Sequence, residues 1–186
     1  MLKLFKYACL ISLLLIVGCT NDIGHDDDAI AAVVRGEEIT IGDLRFLYPD
    51  EKVLEMIEGT VKVELVTQEA KRLDLDISDQ TKNRVEQFGF LPPGDVETPW
   101  ANDVRQFAEA QAEKLDMDPD AYYEQYVEIT SEQSAYMTAY IEGKLDISNI
   151  DVDNSDAFNE KANQLLDDLM KQYEDEIDIR IKQSKD

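Results

Sequence analysis

Two stretches with the apolar alternation of a β-strand lie at opposite ends of this chain, and they constrain its fold more than any other feature. Near the start, Ile30, Ala32 and Val34 lie at every second position, as one face of a half-buried strand would. The predicted strand covers residues 31–35. Near the end, Ile177, Ile179 and Ile181 alternate with charged residues. A lone strand at a terminus needs a partner. We therefore predict that the two strands pair and join the ends of the domain.

The first strand leads into a turn and then a helix. Gly36 supplies the backbone freedom that a tight turn at Arg35-Gly36 requires. Thr40 is a good N-cap, and Asp43, three residues later, can accept a hydrogen bond from the Thr40 backbone as in a capping box. A short helix is expected to follow and to end at Pro49.

Apolar stripes with helical spacing cover most of the chain between the two strands. The predicted helices span about residues 51–73, 78–88, 99–115, 119–144 and 157–173. Asp50, Ser78, Thr98 and Asp118 are the predicted N-caps, the last two each followed by a proline at the first helical position. The predicted fold class is mainly α. It is a multi-helix domain at residues 29–186 with a small two-stranded sheet that pairs the N-terminal and C-terminal strands.

Residues 89–99 interrupt the helical pattern most clearly, with two adjacent prolines and two glycines. The segment is either a hinge between two helical lobes or a long loop. Phe90 and Leu91 lie within it. They either form the lip of a ligand site on a mobile loop or fold back on the core.

The charge balance argues against nucleic acid as a partner. The chain has 18 basic and 41 acidic residues, for a net charge of −23, whereas phosphate binding needs clustered Lys and Arg. Such a surface either favours cationic partners or is simply a solvated helical exterior.

The first residues have the pattern of an export signal. Lys3 and Lys6 precede an apolar run at residues 7–17. Eleven helical residues span about 17 Å, less than the roughly 30 Å of a bilayer's hydrocarbon, so a signal segment fits better than a permanent span. Residues 16–19, Ile-Val-Gly-Cys, resemble a bacterial lipobox, which implies cleavage before Cys19 and lipidation of its sulfur. The alternative is an ordinary signal peptide with a chance cysteine.

These features divide the chain into three predicted parts. Residues 1–18 are a lipoprotein signal peptide, and residues 19–28 are the lipidated Cys19 with an acidic, disordered tether. Residues 29–186 form the folded domain. Two acyl chains on Cys19 hold a protein stably at a membrane, where one does not.

The sequence contains no catalytic or metal-binding set that we can identify. Cys9 leaves with the signal, Cys19 takes the lipid, and the single histidine, His25, lies in the tether. Two acidic clusters have partial calcium-loop spacing but lack its Gly and Glu, so helix capping explains them better; they are Asp116, Asp118 and Asp120, and Asp151, Asp153 and Ser155. We predict no enzyme activity, no metal and no cofactor.

Four segments together carry a family resemblance: the lipobox-like residues 16–19, Val-Val-Arg-Gly-Glu-Glu-Ile-Thr at 33–40, Gln-Glu-Ala-Lys-Arg-Leu at 68–73, and Leu-Asp-Met-Asp-Pro-Asp-Ala-Tyr-Tyr at 115–123. They resemble the helical chaperone part of the extracytoplasmic foldases of the PrsA and SurA families, over roughly residues 29–145. The family often has Asn-Gly where this chain has Arg35-Gly36. Its parvulin isomerase domain has no counterpart here, because the corresponding gap is only about residues 146–156.

The resemblance implies a membrane-anchored extracytoplasmic chaperone without isomerase activity, whose partners are unfolded or partly folded secreted proteins. The predicted client contacts are aromatic or apolar residues in or after the interruption: Phe90, Leu91, Trp100, Tyr122, Tyr126 and Tyr136. The tyrosines equally suit core packing with their hydroxyls reaching solvent. The alternatives are a lipoprotein module that binds one cell-surface partner and, third, a prolyl isomerase-related foldase. The sequence does not predict an oligomeric state.

Overall fold

The two strands predicted at opposite ends of the chain are hydrogen-bonded neighbours in the computed structural model, which describes residues 23–145 and 155–182. The strands in this part of the chain are β1 (Ile30–Val34), β2 (Glu37–Thr40) and β3 (Ile177–Ile179). β1 lies in the centre of the antiparallel sheet, and Val34 faces Ile177 across the β1–β3 pair. The prediction that the ends pair is confirmed.

The predicted two-stranded sheet is wrong in one respect, because β2 adds a third strand in the described residues. β2 pairs with β1 through the turn at Arg35-Gly36. Only Ile39 of its four residues is apolar and buried, so the segment shows no alternation that identifies a strand. Neither the strand nor its register with β1 could therefore be predicted from the sequence.

The turn between β1 and β2 holds both of its residues at positive φ, 50° for Arg35 and 92° for Gly36. This is the conformation of a two-residue type I′ hairpin. It costs a non-glycine residue about 1–2 kcal/mol, so Arg35 must be stabilised by other contacts.

The helical part of the fold is also confirmed. The described residues contain six α-helices: α1 (Ile41–Leu47), α2 (Val53–Arg72), α3 (Ser78–Phe88), α4 (Pro99–Leu115), α5 (Pro119–Lys144) and α6 (Ser155–Gln172). Short 3₁₀ turns precede α2 at Asp50–Lys52 and follow α6 at Glu174–Glu176.

Three of the predicted helix caps form as expected. Thr40 and Asp43 make the complete capping box of α1. The Thr98 hydroxyl accepts from the Ala101 N–H at the start of α4. The Asp118 carboxylate accepts from two backbone N–H groups at the start of α5.

Two predicted caps are wrong. Ser78 is the first residue of α3, and its N–H donates to the Asp76 carboxylate, which was not predicted as a cap. Asp50 makes no cap, because its carboxylate pairs with Arg45 and Lys114 instead. A cap predicted from local spacing fails where tertiary contacts compete for the same side chain.

The capping interpretation of the first acidic cluster agrees with the structure. Asp116 ends α4 in the left-handed conformation, with a φ of 54°, and Asp118 caps α5 two residues later. The second cluster, at 151–155, lies largely outside the described residues, as does most of the predicted connector at 146–156.

The main core lies where the sheet packs against α1, α2, α5 and α6. Its fully buried members include Val34 from β1, Ile41 and Leu44 from α1, and Val61 and Leu65 from α2. Leu169 of α6 and Tyr140 of α5 are also buried members of this core. The apolar stripe of α2 therefore lies in this core.

A second, smaller core joins α4 to the first half of α5. Ala108 and Ala112 of α4 pack against Tyr122 and Val127 of α5. Phe46 of α1 packs against this cluster, so α1 contributes to both cores.

Polar side chains of α4 fix α1 in place. The last carbonyls of a helix have no partner within it. Gln111 Nε2 donates to the Arg45 and Phe46 carbonyls, and Lys114 Nζ donates to those of Arg45 and Tyr48. Burial lowers the pKa of Lys114, although its ion pair with Asp50 opposes that shift. These bonds join the two cores through the end of α1.

The folded unit begins earlier than predicted. We expected a disordered tether to extend through Asp28, but Asp27 contacts the domain. The carboxylate of Asp27 pairs with Arg45 at 2.6 Å, and its carbonyl accepts from the Gly42 N–H. The acidic run supplies a specific ion pair, which a charge count alone does not reveal.

A buried carboxylate connects the hairpin, α2 and the C-terminal segment. Glu69 of α2 accepts hydrogen bonds from Arg35 at 2.8 Å, from Arg72, and from the Tyr173 hydroxyl at 2.9 Å. The Arg35 guanidinium also lies 4.5 Å from the centre of the Tyr173 ring. These contacts offset the backbone cost of Arg35 in the turn.

Replacing Glu69 by Gln is expected to lower the free energy of unfolding by about 2 kcal/mol near neutral pH, because hydrogen bonds to a charged group contribute roughly 1.5–3 kcal/mol. The hydrogen bonds from Arg72, and then those from Tyr173 and Arg35, hold the pKa of Glu69 below its usual value of 4.5, against the opposing effect of burial. The stabilisation is therefore complete above that value and is lost as the pH falls through the folded-state pKa.

Chemical denaturation over a range of pH values measures this effect. The difference between wild type and Glu69→Gln should narrow on acidification. The matched control is Glu58→Gln on the same helix, whose side chain is exposed and lies 4.0 Å from Lys62. An equal loss of unfolding free energy in both variants, or a difference from the wild type that does not change with pH, would contradict the stabilising role assigned to the Glu69 carboxylate.

Candidate functional site

Exposed apolar side chains concentrate in one part of the described chain. The described residues include five large apolar side chains that are exposed, and four of these lie between residues 88 and 100. They are Phe88, Phe90, Val96 and Trp100, and we call residues 88–100 the apolar segment. Large exposed apolar side chains grouped in this way typically mark an interaction surface.

The local sequence explains why these side chains point away from the cores. α3 ends at Phe88, and Gly89 follows at a position where a Cβ atom would lie 2.5 Å from the Val85 carbonyl oxygen. Only glycine fits there without displacing the backbone. Pro92 and Pro93 then prevent the helix from continuing. Helix geometry resumes only after Thr98.

One arginine fixes the path of the loop between α3 and α4. The two Arg105 amino groups donate to the Pro92, Pro93 and Val96 carbonyls at 2.7–3.2 Å. Arg105 also donates to the Asn102 side chain on its own helix. The loop is thus attached to α4, and its apolar side chains are held at the surface by a polar anchor.

The structure separates the six predicted contact residues into two groups. Phe90 is 81% exposed and Trp100 is 55% exposed, so both are accessible to a partner. Leu91 folds back against the second core, the alternative that the sequence left open. Adjacent loop residues therefore have opposite environments.

Tyr122 was predicted as a client contact, and its position contradicts this. Tyr122 is fully buried, and its hydroxyl donates to the Phe46 carbonyl at 2.9 Å. Burial strongly raises the pKa of the phenol. Its apolar ring completes the second core, which is the competing interpretation that we gave for the tyrosines.

The other two predicted tyrosines are half-buried. Tyr126 stacks on Tyr122 and meets the Phe107 ring edge-on, with ring centres 5.9 and 5.1 Å apart. Tyr136 packs against the main core, and the Lys71 ammonium lies 5.2 Å from the centre of its ring. Both contribute mainly to packing between helices.

Sequence reasoning missed two members of the apolar segment. Phe88 ends the helix predicted at 78–88, which has no buried residue in the structure, and its side chain is exposed. Val96 was not considered. The polar composition of α3 is a signal that could have predicted the exposure of Phe88, since a helix with so few apolar residues cannot bury one firmly.

A groove of about 580 Å³, which no sequence pattern indicated, lies between β2, α1, α2 and α5. Its apolar lining comes from Ile39, Phe46, Leu47 and Ile129. Ile129 is the one exposed large apolar residue of the described chain that lies outside the apolar segment. The groove forms where a hairpin strand, a short helix and two long helices meet.

The described residues offer no metal centre, since none of their His, Cys, Asp and Glu side chains form a group of three or more that could hold an ion. Within the same part of the chain, no helix combines the length and apolar character needed to cross a bilayer.

Comparison of this chain with protein-family models, with curated proteins and with solved structures gives no match.

Proposed function

We propose that this protein is a membrane-anchored, extracytoplasmic chaperone-like lipoprotein that binds non-native exported proteins and has no isomerase activity. The observation that carries the proposal is the apolar segment at 88–100, which presents Phe90 and Trp100 to solvent. Non-native chains expose apolar side chains that folded proteins bury, and a surface of this kind can hold them.

The chemistry of the segment suits partners that vary in sequence. Phe and Trp offer large apolar areas with few rotatable bonds, so their immobilisation costs little conformational entropy. Hydrophobic contact is also non-directional. Many different clients can therefore bind without a matching set of hydrogen bonds.

The charge of the chain supports the same use. A net charge of −23 keeps copies apart and maintains solubility while an apolar client is held. The resemblance of residues 29–145 to the helical part of the PrsA and SurA families agrees with this proposal. The lipobox-like residues 16–19 would place the domain beside the membrane across which clients emerge.

Replacing both Phe90 and Trp100 by Ser is expected to weaken the binding of an unfolded client about tenfold or more, since truncating a central aromatic contact typically costs over 1 kcal/mol. Light scattering of a diluted, unfolded client measures the loss of protection. The thermal unfolding midpoint should stay close to that of the wild type, because both side chains are exposed.

The matched control is Gln87→Ser, which changes an exposed polar residue beside the segment. It should protect clients as well as the wild type does. Wild-type protein that fails to slow aggregation at stoichiometric amounts would overturn the proposal. Tight binding to one folded surface protein instead would favour the accessory-module alternative.

Anchoring is tested separately by Cys19→Ser. The variant should leave the membrane fraction or remain unprocessed, because the serine cannot carry the thioether-linked lipid. Cys9→Ser, within the predicted signal peptide, is the matched control and should fractionate as the wild type does. Unchanged fractionation and mass of the Cys19→Ser variant would refute lipidation.

A further inference from the structure

We infer that the groove between β2, α1, α2 and α5 binds an extended peptide segment in which apolar side chains alternate with Lys or Arg. The groove shares no lining residue with the apolar segment at 88–100, so it is a second binding site. The inference rests on the proposed function only in naming exported clients as the source of the peptide.

The size and lining of the groove suit apolar side chains of a peptide. Its volume of about 580 Å³ lies within the range of roughly 300–1,000 Å³ that is typical of ligand sites. Phe46 is half-buried and Ile129 is exposed, so both present apolar surface to an occupant. Gln125 and Gln133 flank Ile129 one turn away on either side and can hydrogen-bond a peptide backbone.

The charges around the groove select a cationic partner. Glu38, Asp43 and Glu64 are part of its lining, and the lining contains no Lys, Arg or His. Asp43 also accepts a hydrogen bond in the capping box and Glu64 accepts one from Gln68, and such bonds do not neutralise a carboxylate. An acidic peptide would be repelled here, whereas Lys or Arg beside an apolar side chain would be attracted.

The edge of the sheet favours an extended conformation of the peptide. β2 contributes Glu38 and Ile39 to the groove and is an edge strand in the described part of the chain. Edge strands accept extended segments through backbone hydrogen bonds. A second copy of this protein is a poor occupant, because antiparallel edge pairing would bring Glu37 and Glu38 near their own copies.

Fluorescence anisotropy of a short labelled peptide of alternating Lys and Leu tests the inference. The peptide should bind the wild type, and binding should weaken as salt is raised. The Glu38→Lys variant should bind it about fivefold more weakly or worse, because charge reversal replaces an attraction by a repulsion. Ile129→Ser should also weaken binding, through loss of apolar contact.

Two controls make the result specific to the groove. Glu109→Lys makes the same charge change at an exposed site on α4 outside the groove lining, and it should bind the peptide nearly as the wild type does. A peptide of alternating Glu and Leu should bind the wild type far more weakly than the Lys peptide. Equal effects of Glu38→Lys and Glu109→Lys, or equal binding of the two peptides, would overturn the inference.

The two proposals can fail independently. Phe90→Ser with Trp100→Ser leaves the groove intact, so this variant should still bind the Lys peptide. If the wild type binds the peptide as described but does not protect clients, the proposed function is wrong and the groove site stands. If it protects clients but binds the peptide no better than Glu38→Lys does, the groove site is wrong and the function stands.

Discussion

The carboxylate of Glu69 accepts hydrogen bonds from side chains in three separate parts of the chain, and the arrangement of the fold depends on this interaction. Arg35 comes from the hairpin turn, Arg72 from α2 itself, and Tyr173 from the segment that leads into β3. The strained turn at Arg35 is tolerated because its guanidinium is engaged by both an anion and an aromatic ring. Glu69 thereby links the N-terminal hairpin to the C-terminal strand.

Packing and hydrogen bonds connect the elements around Glu69 to the proposed binding surfaces. α2 carries Glu69 and packs against α5, which in turn takes part in both cores. Gln111 and Lys114 connect α4 to the end of α1, and Arg105 attaches the loop to α4. The exposed Phe90 and Trp100 therefore lie on a supported loop and helix start. The groove is lined by β2 together with three of these helices, α1, α2 and α5.

Periodicity and capping chemistry predicted most of the fold, because these signals are local. Thr98-Pro99 and Asp118-Pro119 marked two helix starts correctly, and the alternation at Ile177–Ile179 identified a strand whose mate was the other end of the chain. Signals that depend on tertiary contacts were lost. β2 shows too little alternation to be identified as a strand. The partners of Asp50 are Arg45 and Lys114, which lie 5 and 64 positions away in the sequence, so local spacing does not reveal them. Among the predicted contact residues, an aromatic side chain looks alike in a core and on a surface, so the sequence alone did not distinguish the buried Tyr122 from the exposed Phe90 and Trp100.

We propose that the surface around Phe90 holds non-native exported chains. A photoreactive amino acid placed at position 90 in the full-length protein, activated in intact cells, tests it most directly. If this surface holds such chains, the probe should crosslink to many different exported proteins, and more strongly when their folding is impaired, whereas the same probe at Glu109 should give few crosslinks. Crosslinks to a single folded partner at fixed stoichiometry, or equal capture from both positions, would contradict it.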